Sequence, residues 1–232
     1  MSGFTFKQFH INQQECAMKV GTDGILLGAW ADVTNCRRIL DMGCGTGLLA
    51  LMLAQRSAPD CQIHAVELDP AAAQQAQQNI NDSPWRHRIE LHQGDVLHFL
   101  AETAYPFDLI VANPPYFAQG VHCKNAQRQL ARYMQQCHSD WLNRAAQRLS
   151  PNGEISFVVP FEAVKSLMDS AELHCVKQTA VITKIGKTPR RMLITFAKQS
   201  RALMQNELVI YDEHHQYTAE FVALTKDFYL KF

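Results

Sequence analysis

Four residues at the end of one apolar run carry the first chemical signal. Asn113-Pro114-Pro115-Tyr116 follows directly on Leu109-Ile110-Val111-Ala112, which reads as a buried strand. Two consecutive prolines remove two backbone donors and fix two φ angles, so the strand must stop there. The corner then presents one side-chain amide, one rigidly held prolyl carbonyl and one aromatic ring. The Asn113 oxygen and the Pro114 carbonyl can each accept one N–H bond from a planar amino group. Tyr116 can stack on the ring that bears it. Strand termination alone requires the prolines but neither the Asn nor the Tyr beside them.

A second group of residues lies upstream, in "LDMGCGTG". Asp41, Gly43, Gly45 and Gly47 fall between an apolar strand and a helix. Glycines permit positive φ and let a ligand approach the backbone beneath a helix N-terminus. The spacing G-x-G-x-G differs from the dinucleotide fingerprint G-x-G-x-x-G. Asp41 would repel a pyrophosphate but can accept hydrogen bonds from an ammonium group. S-adenosyl-L-methionine carries that ammonium, no phosphate, and a sulfonium cation. Glu67 sits at the end of the next strand, where open α/β sheets place an acid for ribose hydroxyls. Asp95 follows the third strand and can accept from an adenine amino group. Each acid alone also fits a helix cap.

These side chains need a scaffold that brings successive strand ends together. Short apolar runs alternate with helix-like segments, the pattern of a parallel sheet covered on both faces. Strands are expected over 37–42, 62–69, 88–95, 107–112 and 153–160, and helices over 48–58 and 70–80, with Pro70 in the first turn. A helical stretch is expected over 125–149, broken near Ser139-Asp140. "HCVKQTAVIT" and "RRMLITFA" predict an antiparallel pair around the loop "KIGKTPR". "ELVIYD" adds a short strand, and the last residues close as a helix or docked tail.

Composition narrows the class. Hydrophobic residues make up 47 % of 232, which excludes a disordered chain and suffices for one sizeable core. The longest apolar patch near the start, "GILLGAW", is too short for a bilayer, so a cytoplasmic protein with no membrane partner is expected. Seven cysteines, scattered with no CxxC pair, suggest neither a disulfide framework nor a zinc finger. His122-Cys123 and Cys137-His138 are too loosely spaced for one ion, and no metal is expected. Net charge is zero, yet 184–201 holds six Lys and Arg and no acid, so a basic face can hide inside the neutral total.

Asp41-x-Gly43-x-Gly45-x-Gly47, Glu67, Asp95 and Asn113-Pro114-Pro115-Tyr116 together resemble the Rossmann-like class I methyltransferases that alkylate planar amino groups. The likeness implies an α/β fold: a mostly parallel seven-stranded sheet with an antiparallel C-terminal strand pair and helices on both faces. It implies S-adenosyl-L-methionine as cofactor and Asn113, Pro114, Pro115 and Tyr116 as the catalytic corner, with Asn113 also near the cofactor. Adenine N6, guanine N2 of ribosomal RNA and the N5 amide of a protein glutamine all fit such a corner. The segments "FTFKQFHINQQECAMKVGTDGILLGAW" and "FVALTKDFYLKF" are similar to those of bacterial tRNA adenine-N6 methyltransferases acting beside the anticodon. That likeness implies an anticodon stem-loop as partner and places Lys19, Thr22 and Asp23 near the methionine end of the cofactor. Thr22 can instead cap the helix that follows. Lys124, Arg128, Arg132, Lys187, Arg190 and Arg191 are the candidates for RNA phosphates. The expected organisation is a single domain favoured as a monomer: a covering segment over 1–36, a catalytic core over 37–200, and a strand and helix over 201–232 docking on it.

Overall fold

The computed structural model describes residues 3–14, 19–114 and 137–231. Pro115, Tyr116, Lys124, Arg128 and Arg132, together with His122-Cys123, lie outside the described residues.

The chain opens with a short antiparallel hairpin, β1 (Gly3–Thr5) and β2 (His10–Asn12), followed by helix α1 (Thr22–Trp30). Strand and helix then alternate: β3 (Arg38–Met42), α2 (Leu48–Arg56), β4 (Gln62–Glu67), α3 (Pro70–Asn81), β5 (Ile89–Gln93), α4 (Val96–Glu102) and β6 (Phe107–Ala112). After α5 (Cys137–Ala146) come β7 (Leu149–Pro160), α6 (Val164–Ser170), β8 (His174–Lys184), β9 (Arg191–Ala197), β10 (Met204–Tyr211) and α7 (Ala219–Thr225).

One sheet runs in the order β10-β8-β9-β7-β6-β3-β4-β5. The five strands from β7 to β5 are parallel, β9 runs against both β7 and β8, and β10 lies parallel to β8. The expected antiparallel pair is present. Among the described residues the sheet carries eight strands rather than seven, the short strand expected at "ELVIYD" running from Met204 to Tyr211 and pairing along β8.

Two apolar layers cover the sheet. One holds α1, α2, the N-terminal hairpin and the C-terminal Phe221 and Phe228; the other holds Phe107, Phe157 and Phe196 under α4, α5 and α6. Local chemistry sets the helix starts. Pro70 opens α3, and Asp69 caps it by accepting from the Ala71 N–H at 2.8 Å. Ser139 and Asp140 lie in the first turn of α5, where the Ser139 hydroxyl meets that of Ser170 at 2.7 Å; the part of the expected helical stretch before Cys137 lies outside the described residues.

Three of the six cations of 184–201 are engaged by other residues of the chain. Arg191 pairs with Asp23, Arg201 pairs with Glu154, and the Lys198 ammonium donates to the Leu149 carbonyl. Lys187 and Arg190 remain exposed. The basic face expected from the run is correspondingly narrower.

Candidate active site

Strand order locates the crevice before any side chain is considered. β4 and β5 lie on one side of β3, and β6 and β7 on the other. The chain reverses direction of growth at the β3–β6 boundary, the place where open α/β sheets bind ligands beyond their carboxyl ends. Asp41 pairs in register with Val111 and Ala65, so Asn113 emerges two residues further along the neighbouring strand. Glu67 ends β4, and Asp95 follows β5 at the same edge. The sheet therefore gathers Asp41, the glycine loop, Glu67, Asp95, Asn113 and Pro114.

The loop turns tightly because Gly43, Gly45 and Gly47 all adopt positive φ, +69°, +55° and +82°. Its amides are satisfied internally. Gly43 and Cys44 donate to the Val66 carbonyl at 2.9 Å, Gly47 donates to the Cys44 carbonyl, and Gly45 donates to the Glu67 carboxylate at 2.8 Å. No cradle of unspent N–H groups faces a phosphate at these four positions. A side-chain carbon at Gly43 would lie 3.0 Å from Trp141, and one at Gly47 3.5 Å from Ala76, whereas one at Gly45 would enter open space.

Asp41 is fully buried and has two different oxygens. One accepts the Ala50 N–H at 3.0 Å, supplying the cap that Gly47, lacking a side chain, cannot give to α2. The other is buried with no hydrogen-bond partner among the described residues. Burial pushes the carboxyl up to about 7; the Ala50 bond opposes this, and the Glu67 charge adds to it. A buried acceptor without a donor is costly, so its retention points to a donor from outside the chain.

Glu67 is held by its own surroundings. One oxygen takes the Gly45 N–H and the other the Asp69 N–H at 2.9 Å, which fixes the carboxylate at the rim with a lone pair to spare on each oxygen. Asp95 caps α4 by accepting the His98 N–H at 2.9 Å. Asn113 is half-buried and Pro114 buried. The Asn113 amide nitrogen approaches the first turn of α1, lying 3.6 Å from where a methyl on Gly24 would stand.

The N-terminal candidates divide. Gly21, not Thr22, occupies the cap position of α1, and no side chain caps that helix; Thr22 and Lys19 are exposed. Asp23 accepts from the Arg191 Nε at 2.7 Å, so a residue expected near the cofactor is joined to one expected on RNA.

One positioning residue escaped the sequence reading. Asn79, buried in α3, accepts the Asn12 N–H and donates to the Asn12 carbonyl and to the Thr46 carbonyl, each at 2.9 Å. It fastens the N-terminal segment to the glycine loop. The only signal was an Asn, a poor helix former, inside an Ala/Gln helix.

The fold and this edge define a methyltransferase. A family model described as the methyltransferase small domain matches residues 21–182, and the chain belongs to that family. Over all 232 residues it is 70 % identical to a protein of Haemophilus influenzae named tRNA1(Val) (adenine(37)-N6)-methyltransferase, the match covering 100 % of both chains. Among solved structures, a predicted O-methyltransferase of Agrobacterium tumefaciens superimposes with TM-score 0.71 at 23 % identity, covering 89 % of this chain and 96 % of that one. The O-methyltransferase TomG of Streptomyces achromogenes, solved in complex with S-adenosylmethionine, gives TM-score 0.52 at 16 % identity over 78 % and 82 % of the two chains. The methyl donor is S-adenosyl-L-methionine. The residues fit it: Asp41 keeps a buried acceptor, Gly45 faces open space, and the amides of Gly43, Cys44, Gly45 and Gly47 are already bonded within the chain.

Proposed function

We propose that this chain methylates the exocyclic N6 of adenosine 37 in tRNA1(Val). Full-length identity of 70 % to a protein named for that reaction supports the substrate, and Asn113 beside the Asp41 crevice supports the chemistry.

When bound, S-adenosyl-L-methionine supplies an electrophilic methyl on a sulfonium. The chain does the rest. An adenine N6 donates its lone pair into the ring and is a poor nucleophile. The Asn113 side-chain oxygen and the Pro114 carbonyl accept its two N–H bonds, turn its lone pair toward the methyl and stabilise the positive charge that grows on nitrogen. Pro115 and Tyr116, which lie outside the described residues, complete the proposed catalytic motif. The proton leaves after transfer, so no strong general base is required.

Asp41 receives the cofactor ammonium, Glu67 the ribose hydroxyls and Asp95 the adenine amine, with Gly43, Gly45 and Gly47 lining the approach. Lys19 and Thr22 cover the methionine end. Asp23 is held there by Arg191, which leaves Lys187, Arg190, Lys124, Arg128 and Arg132 for the anticodon stem-loop. A loop nucleotide costs less to extrude than a paired one. Residues 1–36 cover the core of 37–200, residues 201–232 complete it, and the unit works as a cytoplasmic monomer.

The test uses labelled S-adenosyl-L-methionine with total tRNA, ribosomal RNA or protein extract. N6-methyladenosine at position 37 of tRNA1(Val) is expected; label confined to ribosomal RNA or protein rejects the reading. Asn113→Ala should lower kcat by about 100-fold or more with cofactor affinity largely kept.

A further inference from the structure

On the opposite side of β4 from α2, three side chains that the methyltransferase chemistry does not use converge. His64 lies in β4, and Glu90 and His92 lie on the adjacent edge strand β5. Parallel pairing sets Glu90 directly across from His64, and the two-residue repeat of a strand brings His92 to the same face. His64 Nδ1 stands 3.1 Å from His92 Nε2, His64 Nδ1 stands 3.5 Å from one Glu90 oxygen, and His92 Nε2 stands 3.7 Å from the other.

The two facing nitrogens stand near the edge length of a coordination tetrahedron, and Glu90 turns a different oxygen toward each, so its carboxylate can bind one ion through both oxygens or swing one inward. Zinc–nitrogen and zinc–oxygen bonds of about 2.0–2.1 Å require ligand atoms about 3.3–3.4 Å apart. We propose that His64, Glu90 and His92 form a binding site for one divalent transition-metal ion of the zinc class, separate from the methyl-transfer crevice. Two imidazoles and a carboxylate are the donor set such ions favour over magnesium or calcium. Three protein ligands leave a fourth position, and the Tyr105 hydroxyl, 3.3 Å from His64 Nδ1, is placed to fill it or to bond a water there.

The site is built more firmly than a surface coincidence. His64 is buried, and its ring is wedged against Tyr105 and Phe107 at 5.1 and 5.6 Å between centroids. Without metal, a tautomer with one proton between the two facing nitrogens accounts for their 3.1 Å separation. On metal entry that proton moves to the far nitrogen of its own ring through solvent, both facing nitrogens present lone pairs, and no net proton is lost. Glu90 is largely exposed and must be ordered on binding, which sets the affinity nearer micromolar than that of a structural zinc finger. The ion would staple an edge strand to its neighbour three residues before Glu67 and Asp95. It would stiffen the strands carrying those acids without touching substrate.

The experiment takes untagged full-length protein stripped with chelator and titrates zinc by calorimetry, with cobalt(II) absorption reporting the coordination geometry. One equivalent is expected to bind at micromolar Kd, with a tetrahedral or five-coordinate cobalt spectrum and a Tm rise of about 5 °C at a hundredfold excess over Kd. Glu90→Gln combined with His92→Gln, both at positions that are not buried, should keep the Tm of the stripped protein and lose that equivalent and the shift. No saturable binding below 100-fold weaker affinity, or binding unchanged in the double variant, overturns the proposal. Metal binding is read without any methyl acceptor, so its failure leaves the tRNA reading untouched, and the reverse holds too.

Discussion

Asp41 concentrates the electrostatic strain of the crevice in a single side chain. Its carboxyl titrates near 3.8 in an unfolded chain and about 7 in the folded one. Between those values the folded state holds a proton that the unfolded state has released. Folding stability therefore falls as pH rises through that window, by up to the order of 4 kcal/mol, and is level above it. Asp41→Asn has no such proton to lose, so its stability relative to the parent should climb from pH 4 to pH 7 and then plateau. Urea unfolding of both proteins across that range checks it. The glycine loop gives a second contrast. Gly43→Ala forces a positive φ on a side chain and pushes it against Trp141, and should cost about 2–3 kcal/mol in unfolding free energy. Gly45→Ala meets nothing in the fold, and should cost about 1 kcal/mol while weakening cofactor binding at least tenfold, as read by calorimetry.

At the scale of elements, the alternating core was legible because each strand end carried its own punctuation. Pro70, the three glycines and Pro114 mark boundaries through backbone restrictions that act locally. The crevice residues were legible for the same reason: each follows an apolar run by a fixed few positions. What stayed hidden depends on distant pairing. Nothing in "MQNELVIY" says that it will join β8 as an eighth strand, since edge pairing depends on a neighbour far away in sequence. Asp23 and Arg191 carried separate meanings until folding joined α1 to β9. Asn79 offered only a weak local misfit. Asn79→Ala should orphan two carbonyls and one N–H, costing about 2–4 kcal/mol in unfolding free energy and loosening the hairpin. Faster hydrogen exchange at the Asn12 amide, with the central β3 and β6 amides unchanged, is the expected signature.

At the scale of the whole molecule, zero net charge means that RNA attraction must come from where the cations stand. With Arg191, Arg201 and Lys198 engaged by other residues of the chain, Lys187→Ala with Arg190→Ala should weaken tRNA binding and reduce its salt slope by one to two. Calorimetry should find cofactor affinity unchanged in that variant. Arg191→Ala belongs to a different class, because it releases Asp23 at the start of α1; it should disturb cofactor affinity as well as RNA.

In the glycine loop the amides of Gly43, Cys44, Gly45 and Gly47 are taken by β4 and by the loop itself, and a carboxylate lies beneath them. ATP and NAD each carry the adenosine moiety that the proposed cofactor crevice would hold. Neither finds a counterpart for its charged tail here, so even large excesses of both should leave the rate of tRNA methylation unaltered. The enzyme's pace would then follow the supply of its methyl donor and be deaf to the energy state of the cell.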